Sequence, residues 1–356
     1  MGSVGRIRKG IVSVAALAVL LVGARLALAD SGVYQVRKLV SDRPGFAEQT
    51  DPNLVNAWGI AFTQFSPNWV ADNGTGVATI YDGNGVAASL VVTIPGGNPT
   101  GAVANNSTTD FVVSSGGKSG AARFLFATEN GIIAGWNPTV DATHAIVVVD
   151  HSASGAVYKG LTIGADGTRQ LLYATDFHNN RVDVFDKNFN PVALPGGFVD
   201  TNVPDTYGPF GIQNLLGAIY VTYAKADGDR HDDVSGEGNG IVDVFGANGN
   251  LIRRVYKGGR LNSPWGLALA PADFGVFAGK LIVGNFGDGT LNVFDPSSNK
   301  LVGTLSDANR NPIVIDRLWA IAFGNGAQNQ PTNVLFFASG PDDESHGLYG
   351  RISFVQ

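Results

Sequence analysis

Trp58-Gly59-Ile60-Ala61-Phe62, Trp265-Gly266-Leu267-Ala268-Leu269 and Trp319-Ala320-Ile321-Ala322-Phe323 are one pattern written three times. A bulky residue is followed by a small one and then by apolar alternation. Thr100-Gly101-Ala102-Val103, Lys159-Gly160-Leu161-Thr162-Ile163 and Phe210-Gly211-Ile212 are looser copies. The small residues fall at 59, 101, 160, 211, 266 and 320, a mean spacing of about 52, which is a period of propeller blades.

Each copy continues alike. A second apolar run follows, such as Trp69-Val70-Ala71, Phe124-Leu125-Phe126-Ala127 or Leu281-Ile282-Val283. Next comes a turn rich in Gly, Asn and Asp, residues that accept positive φ or bond their own backbone. A third run ends on an aromatic: Tyr81, Trp136, Phe185, Phe245 and Phe294. A fourth closes the unit, as in Leu90 to Ile94 and Ala145 to Val149. Strand-like period-2 alternation recurs, and no segment after residue 30 keeps a helical period for three turns.

The fold expected is all-β: a six-bladed β-propeller of four-stranded antiparallel blades. The small residue that opens each inner strand has a packing reason, because a larger side chain would crowd the next blade. The recurrent aromatics pack blade against blade. The last unit supplies only three runs, and Val33 to Val40 is a strand without another partner. It is expected to complete blade six and close the ring, removing an unpaired edge.

The chain has 356 residues, with 24 Lys+Arg, 30 Asp+Glu, five His and no Cys. The absence of Cys excludes disulfides, a thiolate metal site and a Cys nucleophile. Residues 1–29 read as a signal peptide: a basic start at Arg6, Arg8 and Lys9, an apolar run Ile11 to Val22, and Ala27-Leu28-Ala29 before Asp30. Residues 30–356 read as one propeller domain. Without the leader, 20 basic residues face 30 acidic ones, a net charge of −10. That surface repels phosphate backbones, so no nucleic-acid partner is expected. Nor is stable membrane insertion after cleavage. Export to the periplasm or medium, as a monomer, is expected.

Leu39-Val40-Ser41-Asp42, Asn53 to Ala61, Trp69-Val70-Ala71-Asp72-Asn73-Gly74, Ser154 to Leu161, Tyr173-Ala174-Thr175-Asp176-Phe177 and Gly240 to Phe245 resemble a family of exported, functionally uncharacterised proteins. The resemblance runs from about Tyr34 to Ser353. More loosely the repeats are similar to NHL-type and gluconolactonase-type propellers. The second likeness implies calcium-dependent lactonase activity in some members. The Glu-Gly-Pro-x-Trp opening expected of that group is absent here.

Catalytic motifs are mostly missing. Gly117-Lys118-Ser119 lacks the upstream Gly and the helix of a phosphate-binding loop. No Gly-x-Ser-x-Gly elbow occurs, and no two His stand at i,i+2 or i,i+4. Asp227 to Glu237 and Pro341 to His346 are acidic loops whose oxygens suit calcium, but the first fails the EF-hand pattern and both read as solvated loops.

Position carries more. The loops entering each inner strand and those joining strands two and three meet at one channel mouth. That gathers Asn56, Asp72, Glu129, Asp176, His178 and Asn285 as the ligand-binding set, with Lys159 and Arg317 compensating charge. Asp176 and His178 also have the chemistry of an acid/base pair. The function expected is a binding or scaffold propeller with a polar ligand site at the mouth, serving a small polar ligand, a glycan or an envelope protein. The alternative is a calcium-dependent hydrolase of the lactonase type, with calcium as cofactor.

Overall fold

The computed structural model describes residues 1–2, 33–167 and 169–355. Apart from its first two residues, the leader lies outside the described residues. From Val33 onward the chain forms six antiparallel sheets around one axis. Blade one is Ala57–Ala61, Asn68–Asp72, Val77–Tyr81 and Val92–Thr93. Blade two is Pro99–Ala104, Phe124–Thr128, Ile132–Trp136 and Ile146–Asp150. Blade three has regular strands Tyr158–Asp166, Arg169–Asp176 and Arg181–Phe185, with Pro191 bridging to Phe185 in the fourth place. Blade four is Tyr207–Leu215, Ala218–Lys225, Gly240–Phe245 and Leu251–Lys257. Blade five is Pro264–Leu269, Leu281–Asn285, Leu291–Phe294 and Leu301–Thr304.

Blade six combines Leu318–Phe323, Val334–Ser339 and Leu348–Val355 with the N-terminal strand Val33–Ser41. That strand pairs antiparallel to Leu348–Val355, from Val33 opposite Val355 to Ser41 opposite Leu348. The expected closure is therefore present. Tyr34 anchors it: the side chain is 1% exposed, its hydroxyl donates to the Phe274 carbonyl at 3.0 Å, and its ring stacks on Phe277.

The inner strands touch in sequence around the ring, and the small residues explain how. A Cβ at Gly59 would lie 2.5 Å from the Thr100 carbonyl oxygen, and one at Gly211 2.1 Å from that of Trp265. At Gly101 and Gly266 the same clash recurs against blades three and six. Six apolar clusters fill the spaces between neighbouring blades. Tyr81, Trp136, Phe185, Phe245 and Phe294 each lie in one, as the repeat implies. The Gly117-Lys118-Ser119 stretch is a hairpin turn between Val112–Ser115 and Lys118–Ala121.

A seventh cluster stands apart from the other six. Trp58, Phe177, Phe210, Phe286 and Trp319 come from five blades and pack together, with Trp265 against them. Trp58 stacks on Trp319 at 3.5 Å and Phe286 on Trp319 at 4.0 Å. Contacts such as Trp58 with Trp265 at 6.3 Å link blades that are not neighbours, so this cluster fills the axis. Four of the blade-opening residues, Trp58, Phe210, Trp265 and Trp319, thus belong to an axial plug, a role the repeat alone did not distinguish from packing between blades.

Candidate functional site

Two rings of positions frame the entry end of the axis. One is the residue before each small residue: Trp58, Thr100, Lys159, Phe210, Trp265 and Trp319. Four are aromatic; Thr100 and Lys159 are not, and Lys159 alone carries a charge. The other is the residue just past the end of strand two: Asn73, Glu129, Phe177 and Phe286 among them. Because strand side chains alternate, the strand-two residue one place earlier faces away from the axis. Asp72, Thr128, Asp176, Asn285 and Ser339 hold that earlier place, and all are fully buried.

This alternation divides the expected ligand set. Asp176 accepts from the Val157 and Asn179 backbone N–H groups at 3.2 and 3.1 Å and from Asn179 Nδ2 at 2.8 Å, capping its own hairpin. Asn285 donates to the Arg260 carbonyl at 2.8 Å and to Asp288 and Thr290, again within a turn. Asp72 is enclosed near Thr79, Tyr81 and Asp51, and burial pushes its carboxyl well above the ordinary range. His178 is exposed, with Nδ1 at 3.0 Å from the Asp229 carbonyl.

Asn56 and Glu129 do meet at the axis. Asn56 sits at φ 48°, a left-handed turn shared by Asn98, Ser263 and Arg317 at the same loop of other blades. Its side chain accepts from Trp319 Nε1 at 3.1 Å and donates to Asn73 at 3.2 Å and Glu344 at 2.6 Å. Asn73 in turn donates to Glu129 at 2.9 Å. Glu129 receives Lys159 Nζ at 2.5 Å, and Asp232 receives it at 3.3 Å. Lys159 Nζ also lies 5.2 Å from the Trp58 ring centre. The ammonium, 2% exposed at its side chain, therefore rests on an aromatic floor under two carboxylates.

The charges follow. Burial works against the Lys159 ammonium, but Glu129, Asp232 and Glu344 more than offset it and raise its pKa. Burial also opposes ionisation of Asp232, yet Lys159 and His231 hold its carboxyl below the ordinary range. Glu344 is pushed up to about 7, by burial first and also by Glu129 and Asp232, against the pull of Asn56 and Lys159. Glu129, His231 and Asp232 stand close enough to share a metal ion. Lys159 already fills the cationic place beside two of them and offsets part of their negative charge.

Glu344, Asp232, Asn73 and the three Trp residues were not among the residues expected at the site. Glu344 and Asp232 come from the two acidic loops that read as solvated. Instead both loops reach the axis. Asp342, Asp343 and Glu344 have φ of 56°, 55° and 65°, a left-handed turn of three successive side-chain-bearing residues. Asp342 pairs with Arg43 and Asp343 with Arg317, which leaves Glu344 turned onto Asn56.

With this geometry in view, likeness to known proteins can be stated. An uncharacterised protein of Acanthamoeba polyphaga mimivirus is 34% identical over 331 residues, covering 90% of this chain and 80% of its own. A second from the same virus is 34% identical over 332 residues, covering 90% and 85%. The chain belongs to their family. No protein-family model matches it. Among solved structures, a streptogramin B lyase is similar with a TM-score of 0.51 at 13% identity, covering 90% of this chain and 98% of that one. That similarity is one of fold. These relatives are uncharacterised, so the chemistry of the axis has to be read from its own residues.

Proposed function

We propose that this family member is an exported binding propeller whose ligand docks at the entry end of the axis, on Glu129, Asp232 and Glu344. One observation carries the reading: five blades deliver Asn56, Asn73, Glu129, Lys159, Asp232 and Glu344 into one hydrogen-bonded network above the aromatic plug. A buried ion network of this kind is costly to build, and replacing such groups by apolar ones is often neutral or stabilising. Its presence at a convergence point of the fold supports recognition of a small polar ligand. Asp232 is the reachable end, with its side chain 68% exposed beside His231. The excess of carboxylates favours hydroxyl or ammonium groups, as amino sugars of glycans carry.

Glucosamine is the probe. Binding to the folded state alone raises stability by about 2.7 kcal/mol at a hundred times Kd. A melting shift with glucosamine that Asp232→Asn removes supports the reading. No shift with glucosamine overturns it. A calcium-dependent shift reversed by chelator would instead install the metal-bound form. No observation favours the lactonase reading. Export rests on the leader sequence, and intact mass of protein recovered outside the cytoplasm tests cleavage before Asp30.

A further inference from the structure

We propose that the outer edge of the closing strand Val33–Ser41 takes up an extended peptide of a partner protein as an added strand. The proposal does not rest on the polar site at the axis. Backbone direction decides which groups are on offer. The Tyr34 N–H donates outward to the Ser306 carbonyl at 2.9 Å, and the Lys38 carbonyl accepts outward from the Glu48 N–H at 3.1 Å. In a strand paired antiparallel on one side, every second residue turns both its backbone groups to the other side. Gln35 and Arg37 therefore face Leu348–Val355, while the Tyr34 carbonyl, both groups of Val36 and the Lys38 N–H point away from it. No backbone group of the described residues bonds these four. Neighbours on that side exist only at the ends: Ser306 beside Val33, and Gln49–Thr50 beside Val40 and Ser41, both parallel.

The open stretch between those neighbours borders a groove of about 680 Å³, walled by Tyr34, Val36 and Lys38 on one side and by Pro312, Ile313 and Val314 on the other. It has room for about four extended residues, ~13 Å. With nine residues this is also the longest outermost strand. Val92–Thr93, Ile146–Asp150, Leu251–Lys257 and Leu301–Thr304, in the same place of other blades, have two, five, seven and four. A free strand edge pairs with another backbone, and an added peptide draws affinity from its main chain and specificity from alternate side chains. Those side chains follow from the residues opposite. Val36 is half-buried against the core that holds Tyr34 and Ile313, so an apolar β-branched residue suits it. Lys38 shares that face, is exposed and lies 3.8 Å from the Phe46 ring centre. Glu48 is taken by Arg37, which leaves Lys38 to a carboxylate of the partner. Because both existing neighbours run parallel, the peptide reads apolar, any residue, acidic in its own chain direction.

The probe is a capped, fluorescein-labelled peptide, Thr-Val-Thr-Glu-Thr, titrated with the full chain and followed by anisotropy. Saturable binding is expected. N-methylation of the peptide's Val and Glu amides keeps its side chains, removes its main-chain donors and should weaken binding at least tenfold. Val36→Pro removes an outward N–H without touching the ladder to Leu348–Val355, a place where an edge strand tolerates Pro. It should weaken binding as much. Lys38→Glu changes only an exposed side chain. It should weaken binding about threefold, and a peptide with Lys in place of Glu should restore it. Absent or non-saturable binding to the parent overturns the proposal. So does equal binding of the N-methylated peptide. A parent that forms a dimer lost in Val36→Pro, and that binds no peptide, would assign the edge to a second copy of the chain and overturn it as well.

Discussion

Glu344 shows how one side chain ties geometry to acidity. A strained left-handed turn places its carboxyl against Asn56, near Glu129, Lys159 and Asp232. Its pKa rises from an ordinary 4.5 to about 7 in the folded protein. The folded state therefore holds this proton more tightly than the unfolded one. Its stabilising effect is complete below pH 4.5 and is lost as pH rises through 7. Chemical denaturation from pH 4.5 to 8 should show this slope in the parent and its loss in Glu344→Gln. Steric fit gives a second prediction at this scale. Gly211→Ala sets a Cβ 2.1 Å from a backbone carbonyl, whereas at Gly160 the nearest atoms are 3.0 Å away. Gly211→Ala should cost at least ~2 kcal/mol and Gly160→Ala clearly less, read from denaturant midpoints. The inner-strand glycines were legible because period and packing demand them. The axial residues were harder to read. One position separates Asp72 from Asn73 and Asp176 from Phe177, and only the strand end fixes which of each pair faces inward.

At the level of elements, strands were readable and loops were not. Alternation and turn residues mark the first three strands of the blades, and the aromatic closing the third strand of blades one to five lies between blades as expected. Short outer strands are less regular: Val92–Thr93 is two residues, and blade three ends in a bridge at Pro191. The acidic loops gave no signal that they fold onto the axis. That depends on positive φ at Arg230, Asp342, Asp343 and Glu344, which residue type does not announce. The N-terminal strand was legible because it lacked any other partner. Tyr34 is its principal anchor, buried among Phe274, Phe277 and Phe354. Tyr34→Ala should lower stability by about 3–5 kcal/mol, as loss of a buried aromatic does. A melting temperature equal to that of the parent would mean that this strand does not hold blade six.

Across the whole ring, the axis carries its own counter-ion. Lys159 of blade three faces carboxylates from blades two and four, and Glu344 of blade six lies near them. Lys159→Ala leaves Glu129, 12% exposed at its side chain, without its cationic partner, which should cost about 3–5 kcal/mol. Calcium should restore part of that loss in the variant while leaving the parent's melting temperature unchanged. An equal calcium response in both would show that the lysine does not occupy a cation's place. The closing strand has a mechanical consequence. Val33 lies opposite Val355 in adjacent antiparallel strands, so both ends of the propeller emerge side by side. Tension applied to those ends loads the ladder one hydrogen bond at a time, like a zipper, instead of shearing all its bonds together. Pulled from its termini, this ring should open at low force, and blade six should peel before any other blade yields.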